Sequence, residues 1–271
     1  MTAVITLCSA ARLDHVRRQQ RLLAAQPVHR VLVWLDPEPP PPVAEFAGAE
    51  LVHVPPGPAG LRLAAGRNHG AAAADADLLI FLDADCLPGP DLLDRYGCAA
   101  RAHPDGVLCG PVTYLPEGVL PEDAASLPSL TSPHAARRAP PAGSTVVAGP
   151  DDYRLFWSLS FAVTAATWDT LGGFFEGYEG YGGEDTDLAW TARTAGIPLV
   201  WVGGAHAYHQ YHPTLSPPWQ HLDDILRNGR LFASRWGFWP MQGWLDAFAA
   251  AGAIELTLSG WQRRSPSITA G

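Results

Sequence analysis

At 271 residues the chain is long enough for one α/β domain with additions or for two small domains, and either would bury a substantial core. Hydrophobic residues at 47% against charged residues at 17% exclude wholesale disorder, and a formal net charge of −9 excludes a broad basic surface for nucleic acid. A phosphate-bearing ligand would need a local cation instead.

Residues 2–8, "TAVITLC", are short, apolar and partly β-branched, and the segment running to about Gln26 has the charge and length of a helix. Further strands are expected at 29–35, "HRVLVWL", at 49–55, "AELVHVP", and at 76–82, "ADLLIFL". Near-continuous apolar strands joined by helix-length segments predict a parallel sheet covered on both faces. The alanine-rich "GLRLAAGRNHGAAAADAD" fits a crossover helix before the fourth strand, and "DLLDRYGCAARAH" a helix after it, with Asp91 near its start. A strand is expected from about 106 to 114.

Residues 115–152 are rich in Pro, Ala and Ser and lack periodicity, so a long mobile excursion is expected there rather than a domain boundary. From 153 to 212 the pattern reads strand, helix, Gly-rich turn, helix, strand. "HLDDILRNGRLFASRWGFWP" then sets Leu222, Ile225, Leu226, Gly229 and Phe232 on one helical face that should dock on the core. Cys8, Cys86, Cys98 and Cys109 are too dispersed for a CxxC metal cluster and too few for a disulfide-built fold, so reduced thiols are expected. The N-terminus has the reverse of the secretory-signal order, and no stretch approaches the roughly 20 apolar residues of a membrane span. The expectation is a soluble cytoplasmic protein, with peripheral membrane contact left open.

Three constellations carry the chemistry. The first, Asp83-Ala84-Asp85, follows the apolar run "LLIFL", at the carboxyl end of a strand, where open parallel sheets bind ligands. Oxygen ligands there suit magnesium or manganese bridging a diphosphate, although Asp-x-Asp also serves merely to cap turns. The second, "GYGGEDTDLAW" at 180–190, crowds Glu184, Asp185 and Asp187 behind Gly180, Gly182 and Gly183 at a helix start. Helix capping accounts for one or two of these acids; a third leaves a carboxylate to accept a proton from an attacking hydroxyl. The third, "AHAYHQYHP" at 205–213, repeats histidine at 206, 209 and 212. If this segment is extended, His206 and His212 share a face that His209 does not, and at least one of the three is expected to bind metal or phosphate.

Taken in order, these segments resemble GT-A glycosyltransferases, similar to the large family 2 of inverting sugar transferases. "GLRLAAGRNHGAAAADADLLIFLDADCLP" is similar to that family's helix and Asp-x-Asp strand, and "TLGGFFEGY" with "YGGEDTDLAW" is similar to galactosyltransferase-like members. The resemblance implies an α/β GT-A fold, a Rossmann-like and mostly parallel sheet with helices on both faces. Its single domain would comprise a nucleotide-sugar half at 1–114, a flexible loop at 115–152, an acceptor and catalytic half at 153–213, and a C-terminal helical extension at 214–271.

The same resemblance implies Asp85 as direct metal ligand and Asp83 as a contact to ribose or, through water, to the metal. His209 would be the later ligand, with His206 and His212 as alternatives. Asp185 would be the general base, Glu184 would orient acceptor or donor sugar, and Arg67 would face the nucleotide or its phosphates. The chain has "CSAARLD" where the family commonly has a Pro-x-Tyr/Phe-Asn turn, and its second-strand acidic pair is reduced to Asp36, the remaining uracil contact. Trp157, Phe161, Tyr178 and Tyr181, with Gly183, are expected near the acceptor, ordinary core packing being the alternative for Trp157 and Phe161.

The activity implied is a Mn2+- or Mg2+-dependent inverting transfer of a hexose from a nucleoside diphosphate sugar, UDP-hexose foremost, to a hydroxyl of a glycan, lipid-linked sugar, natural product or peptide. One rival is sugar nucleotidyl transfer, which ordinarily starts from a glycine-rich loop that "VITLCSAARLDHV" lacks. The other is a non-catalytic sugar-nucleotide or glycan-binding module on the same scaffold.

Overall fold

The computed structural model describes residues 1–121 and 123–264. In chain order its elements are β1 (Thr2–Cys8), α1 (Leu13–Ala24), β2 (His29–Trp34), β3 (Glu50–His53), α2 (Leu63–Ala73), β4 (Leu78–Leu82), β5 (Cys86–Pro88) and α3 (Leu92–Ala102). There follow β6 (Val107–Cys109), β7 (Val112–Tyr114), β8 (Thr145–Val147), β9 (Ser160–Thr164), α4 (Ala165–Leu171) and α5 (Glu184–Thr194). The chain continues through β10 (Leu199–Val202), β11 (Ala207–His209), α6 (Leu222–Trp236), α7 (Gln242–Ala250), β12 (Ile254–Thr257) and β13 (Gly260–Arg263).

Eight strands form the central sheet in the order β3-β2-β1-β4-β9-β6-β10-β8. The β3-β2-β1-β4 half is parallel throughout; β9 runs antiparallel to both β4 and β6, and β8 closes the far edge antiparallel to β10. Alternate residues of the buried strands feed two cores. Ile5, Val33, Leu79 and Phe81 pack with Ala64 and Ala65 of α2 and Leu188 of α5, whereas Val4, Ile80 and Leu82 pack with Leu23 of α1 and Leu92 and Tyr96 of α3. Both faces are thus covered, which is why these strands read as unbroken apolar runs.

A second sheet, β5-β11-β7, stands at the carboxyl ends of the main strands. It arises because the stretch expected as one strand from 106 to 114 breaks at Gly110-Pro111, with β6 in the large sheet and β7 in the small one. A Cβ on Gly110 would meet the Ala205 carbonyl at 1.8 Å, so only glycine allows the chain to cross there.

Residues 115–152, expected as an excursion without regular structure, supply the edge strand β8 and bury Leu127 and Arg137. The C-terminal segment is not wholly helical, since β12 and β13 form a hairpin beyond α7. The face predicted for α6 is the buried one, with Leu222, Ile225, Leu226, Gly229 and Phe232 all enclosed. Asp91 occupies the residue before α3 with near-helical backbone angles, which keep its carboxylate off the free amides; it pairs instead with Arg95 at 3.7 Å. The four cysteines are unpaired. Among the described residues no helix is long and apolar enough to cross a membrane.

Candidate active site

The turn after β4 sends its two aspartates into different neighbourhoods. The Asp83 carbonyl accepts the Cys86 amide at 2.9 Å and Gln19 Nε2 at 2.7 Å, which holds the turn closed. Asp85 then lies 3.5 Å from His209 Nε2, 3.4 Å from His212 Nε2 and 3.4 Å from Arg12 Nε. Burial alone would raise the Asp85 carboxyl, but His212, His209 and Arg12 outweigh it and hold it at about 2. Burial also keeps the His209 imidazole below its ordinary value despite Asp85 beside it.

The ladder sets this cluster. His209 is the last residue of β11, in register with Cys86, and the next amide, that of Gln210, donates to the Asp85 carbonyl at 2.7 Å. The chain turns there instead of staying extended, and the His212 ring returns to 5.2 Å from the His209 ring. The expected pairing of His206 with His212 on one face is therefore replaced by His209 with His212. His206 is buried elsewhere, 2.6 Å from Thr113 Oγ1, and burial lowers its imidazole to about 4. One carboxylate oxygen and two imidazole nitrogens, from Asp85, His209 and His212, lie within 4.8 Å of one another. The carboxylate of that set suits manganese, and its two imidazoles favour first-row transition ions over magnesium.

On the other side, α2 and α5 meet the sheet. Arg67, only 4% exposed, spans Asp83 Oδ1 at 3.3 Å and Glu184 Oε1 at 3.4 Å. Gly183 precedes α5 at φ +100°, where a Cβ would also press on the Tyr178 ring at 3.0 Å. Burial, then the charge of Asp185, pushes the Glu184 carboxyl up to about 7. Burial likewise raises Asp83 and Asp185, against the pull of Arg67. Arg67 stays charged because Asp83, Glu184 and Asp185 together outweigh its own burial. Among the described residues Asp185 Oδ1 accepts only from Thr186, from its amide at 2.7 Å and its hydroxyl at 3.3 Å.

Asp83, Glu184 and Asp185 line a cleft of about 750 Å3 together with Arg67, Trp157, Tyr181 and Gly183. Tyr114 also lines it and stacks on His209, with ring centres 4.5 Å apart, which puts the histidine cluster against the cleft wall. Trp190, Phe238, Trp239 and Trp244 complete an aromatic wall that the sequence reading did not anticipate. Of the aromatics it did name, Phe161 stacks on Phe81 in the core and Tyr178 is buried with its hydroxyl on Asp187. Asp36 closes the far end of β2, where its carboxylate accepts the Ala10 amide and its carbonyl bonds His53 Nε2 at 2.8 Å.

Two further residues hold the site. Asp187, 1% exposed, receives Tyr178 Oη at 2.9 Å, Arg235 Nε at 2.8 Å and Trp236 Nε1 at 2.7 Å. Asn228 Nδ2 contacts the carbonyls of Glu179, Tyr181 and Gly182 at 2.8 to 3.2 Å and pins the glycine turn to α6. The repeat of buried positions on α6 gave a signal for Asn228, which falls on the same face as Ile225 and Gly229. Arg137 is 5% exposed and stands over the rings of Trp157 and Trp201. Cation–π contact is worth about 0.5–2 kcal/mol per ring, less than the several kcal/mol that burying an unpaired ion costs.

A mostly parallel sheet whose carboxyl edge bears Asp-x-Asp on one wall and an acidic helix start on the other defines the GT-A class. Two family models match, glycosyl transferase family 2 over residues 13–142 and the N-terminal domain of galactosyltransferase over residues 142–213. Validoxylamine A glucosyltransferase of Streptomyces hygroscopicus subsp. jinggangensis (strain 5008) is 32% identical over 157 residues, covering 52% of this chain and 37% of that protein. Its counterpart from S. hygroscopicus subsp. limoneus is also 32% identical, over 52% and 35%. The chain thus spans little more than a third of the length of these curated relatives.

Among solved structures, S. aureus TarS 1-349 in complex with UDP-GlcNAc superposes with a TM-score of 0.55 at 14% identity, over 86% of this chain and 65% of that one. GalNAc-T7 with UDP, GalNAc and Mn2+ gives 0.54 at 14% identity, over 87% and 50%. The fold is that of the GT-A glycosyltransferases, with residues 13–142 similar to family 2 and residues 142–213 similar to the N-terminal domain of galactosyltransferase.

Proposed function

We propose that the protein transfers a hexose from a nucleoside diphosphate sugar, UDP-hexose foremost, to an acceptor hydroxyl, with inversion and with a divalent metal. The observation that carries this reading is the division of labour across one cleft. Asp85, held ionised, stands with two histidines behind Tyr114, which forms one wall of the cleft, and Asp185, raised above its ordinary value by burial, lines the cleft itself.

Asp85, His209 and His212 would hold the metal, and two nitrogen donors favour Mn2+ over Mg2+, which prefers oxygen. When bound, the metal supplies positive charge beside the departing diphosphate, which a chain of net charge −9 cannot provide from its bulk field. Asp83 faces Arg67 rather than the histidines, which suits a contact to the nucleotide sugar. Arg67 fixes Asp83 and Glu184 at a set spacing, so that donor and acceptor groups meet a rigid frame. Asp185, with one oxygen committed to Thr186, keeps the other for the acceptor hydroxyl proton. Attack from the Asp185 side, opposite the leaving diphosphate, inverts the anomeric carbon. Trp157, Tyr181 and Gly183 would shape the acceptor end, and Asp36 the base end.

Calorimetric titration of UDP, GDP and their hexose and N-acetylhexosamine conjugates, with Mn2+ and then with excess chelator, tests this reading. Metal-dependent binding of one nucleotide family is the expected outcome. Binding of the conjugates without turnover on any alcohol would point to a binding module, and no binding at all would reject the donor reading.

A further inference from the structure

Among the described residues, Arg137 is a buried cation without an anion. Its Nε, Nη1 and Nη2 atoms are all buried and meet no hydrogen-bond partner among the described residues, whereas adjacent Arg138 pairs with Asp152 at 3.3 Å. The guanidinium lies 5.2 Å from the ring centre of Trp157 and 5.3 Å from that of Trp201. Aromatic faces offset part of the charge but bond none of its five N–H donors. The Trp201 indole N–H is a second buried donor with no acceptor among the described residues. The neighbouring thiols offer at most a weak, neutral acceptor: Arg137 pulls Cys109 down by its charge and a hydrogen bond, yet burial outweighs both and raises it to about 12, and burial raises Cys86 well above its ordinary value. Unbonded donors around a fixed positive charge suit an oxyanion.

The surroundings indicate which oxyanion. Trp157, on whose face Arg137 sits, lines the same cleft as Asp83 and Asp185. The Arg137 amide donates to the His134 carbonyl at 3.1 Å, and the His134 ring packs 5.0 Å from Trp157 and 5.6 Å from Tyr114. Tyr114 in turn stacks on His209. Arg137 is thus one indole from the cleft and joined by a short run of rings to the cluster proposed to face the diphosphate. We propose that Arg137 is a binding residue for a phosphate group of the nucleoside diphosphate, reached when Trp157 moves off its face. This assignment rests on the donor reading given above.

Titration of UDP with Mn2+ into wild type, Arg137→Met and Arg137→Lys tests it, together with the melting temperature of each ligand-free protein. Arg137→Met is expected to bind UDP at least tenfold more weakly and to melt no lower than wild type, because an apolar chain replaces an unbonded buried charge. Arg137→Lys should retain more of the affinity than Arg137→Met. UDP affinity within twofold of wild type in Arg137→Met, with a lowered melting temperature, would make Arg137 a structural pin and overturn the proposal. Wild-type protein that binds no UDP would instead remove the donor reading itself. Should Arg137→Met not fold, Trp157→Ala gives a separate readout. Uncovering the guanidinium should tighten inorganic pyrophosphate binding severalfold in excess chelator, and unchanged affinity would again overturn the assignment.

Discussion

Arg235 Nε lies 2.8 Å from Oδ2 of the buried Asp187, so that the last turn of α6 is tied to the first turn of α5, the helix that carries Asp185. The contact makes Asp187 a structural residue although it stands two positions from the proposed base. Asp187→Ala should leave Arg235, Tyr178 and Trp236 without their common acceptor and destabilise the fold by about 3 kcal/mol, judged by urea unfolding. A loss below about 0.5 kcal/mol would show that solvent replaces the carboxylate at little cost.

Asp85→Ala removes the one carboxylate that the histidine cluster has among the described residues. Mn2+ affinity, measured by calorimetry without nucleotide, should fall by roughly a hundredfold or more, as two imidazoles and Arg12 remain with no anion among them. His206→Ala, at a residue bonded to Thr113, should leave Mn2+ affinity unchanged. If the two variants behave alike, the cluster is not the metal site.

Asp185→Asn keeps the shape and the bond from the Thr186 amide while removing the basic oxygen. Turnover should drop by about 10²–10⁴-fold, with UDP affinity within about threefold of wild type. Retained turnover would assign the base elsewhere, Glu184 being the next carboxylate in the cleft.

The carboxyl of Glu184, raised from its ordinary 4.5 to about 7, has a consequence for stability. A carboxyl whose native value exceeds its unfolded value binds more protons in the native state between those values, so stability falls as pH rises through the window from 4.5 to 7. The stability lost across that window is about 1–3 kcal/mol, the pull of Arg67 being already contained in the value of about 7. Glu184→Gln should flatten the dependence of the urea midpoint on pH over that window, and an unaltered slope would mean that Glu184 is ionised throughout.

Much of the fold was legible because buried parallel strands announce themselves. Residues 78–82 are apolar without alternation, and β4 is buried along its whole length. The small sheet was hidden because three-residue strands such as β5 and β7 carry no period, and a break like Gly110-Pro111 declares its cause only when Ala205 is seen beside it. The approach of His212 to His209 was hidden for a related reason. Spacing specifies a face only while the backbone stays extended, and the ladder stops at His209. Asp187 could not be separated from Glu184 and Asp185 by sequence, as its partners Arg235 and Trp236 lie almost fifty residues later. Arg137 carried no signal at all in a segment without periodicity.

The register of β11 on β5 bears on how this protein tolerates change. Asp85 and His209 meet because the two strands are paired residue by residue beside them, so their distance is fixed by main-chain bonds and owes little to the identity of the neighbouring side chains. Side chains along a strand fall on alternate faces, and a single residue gained or lost between Gly204 and His209 would turn His209 away from Asp85. This stretch can therefore vary in composition but not in length.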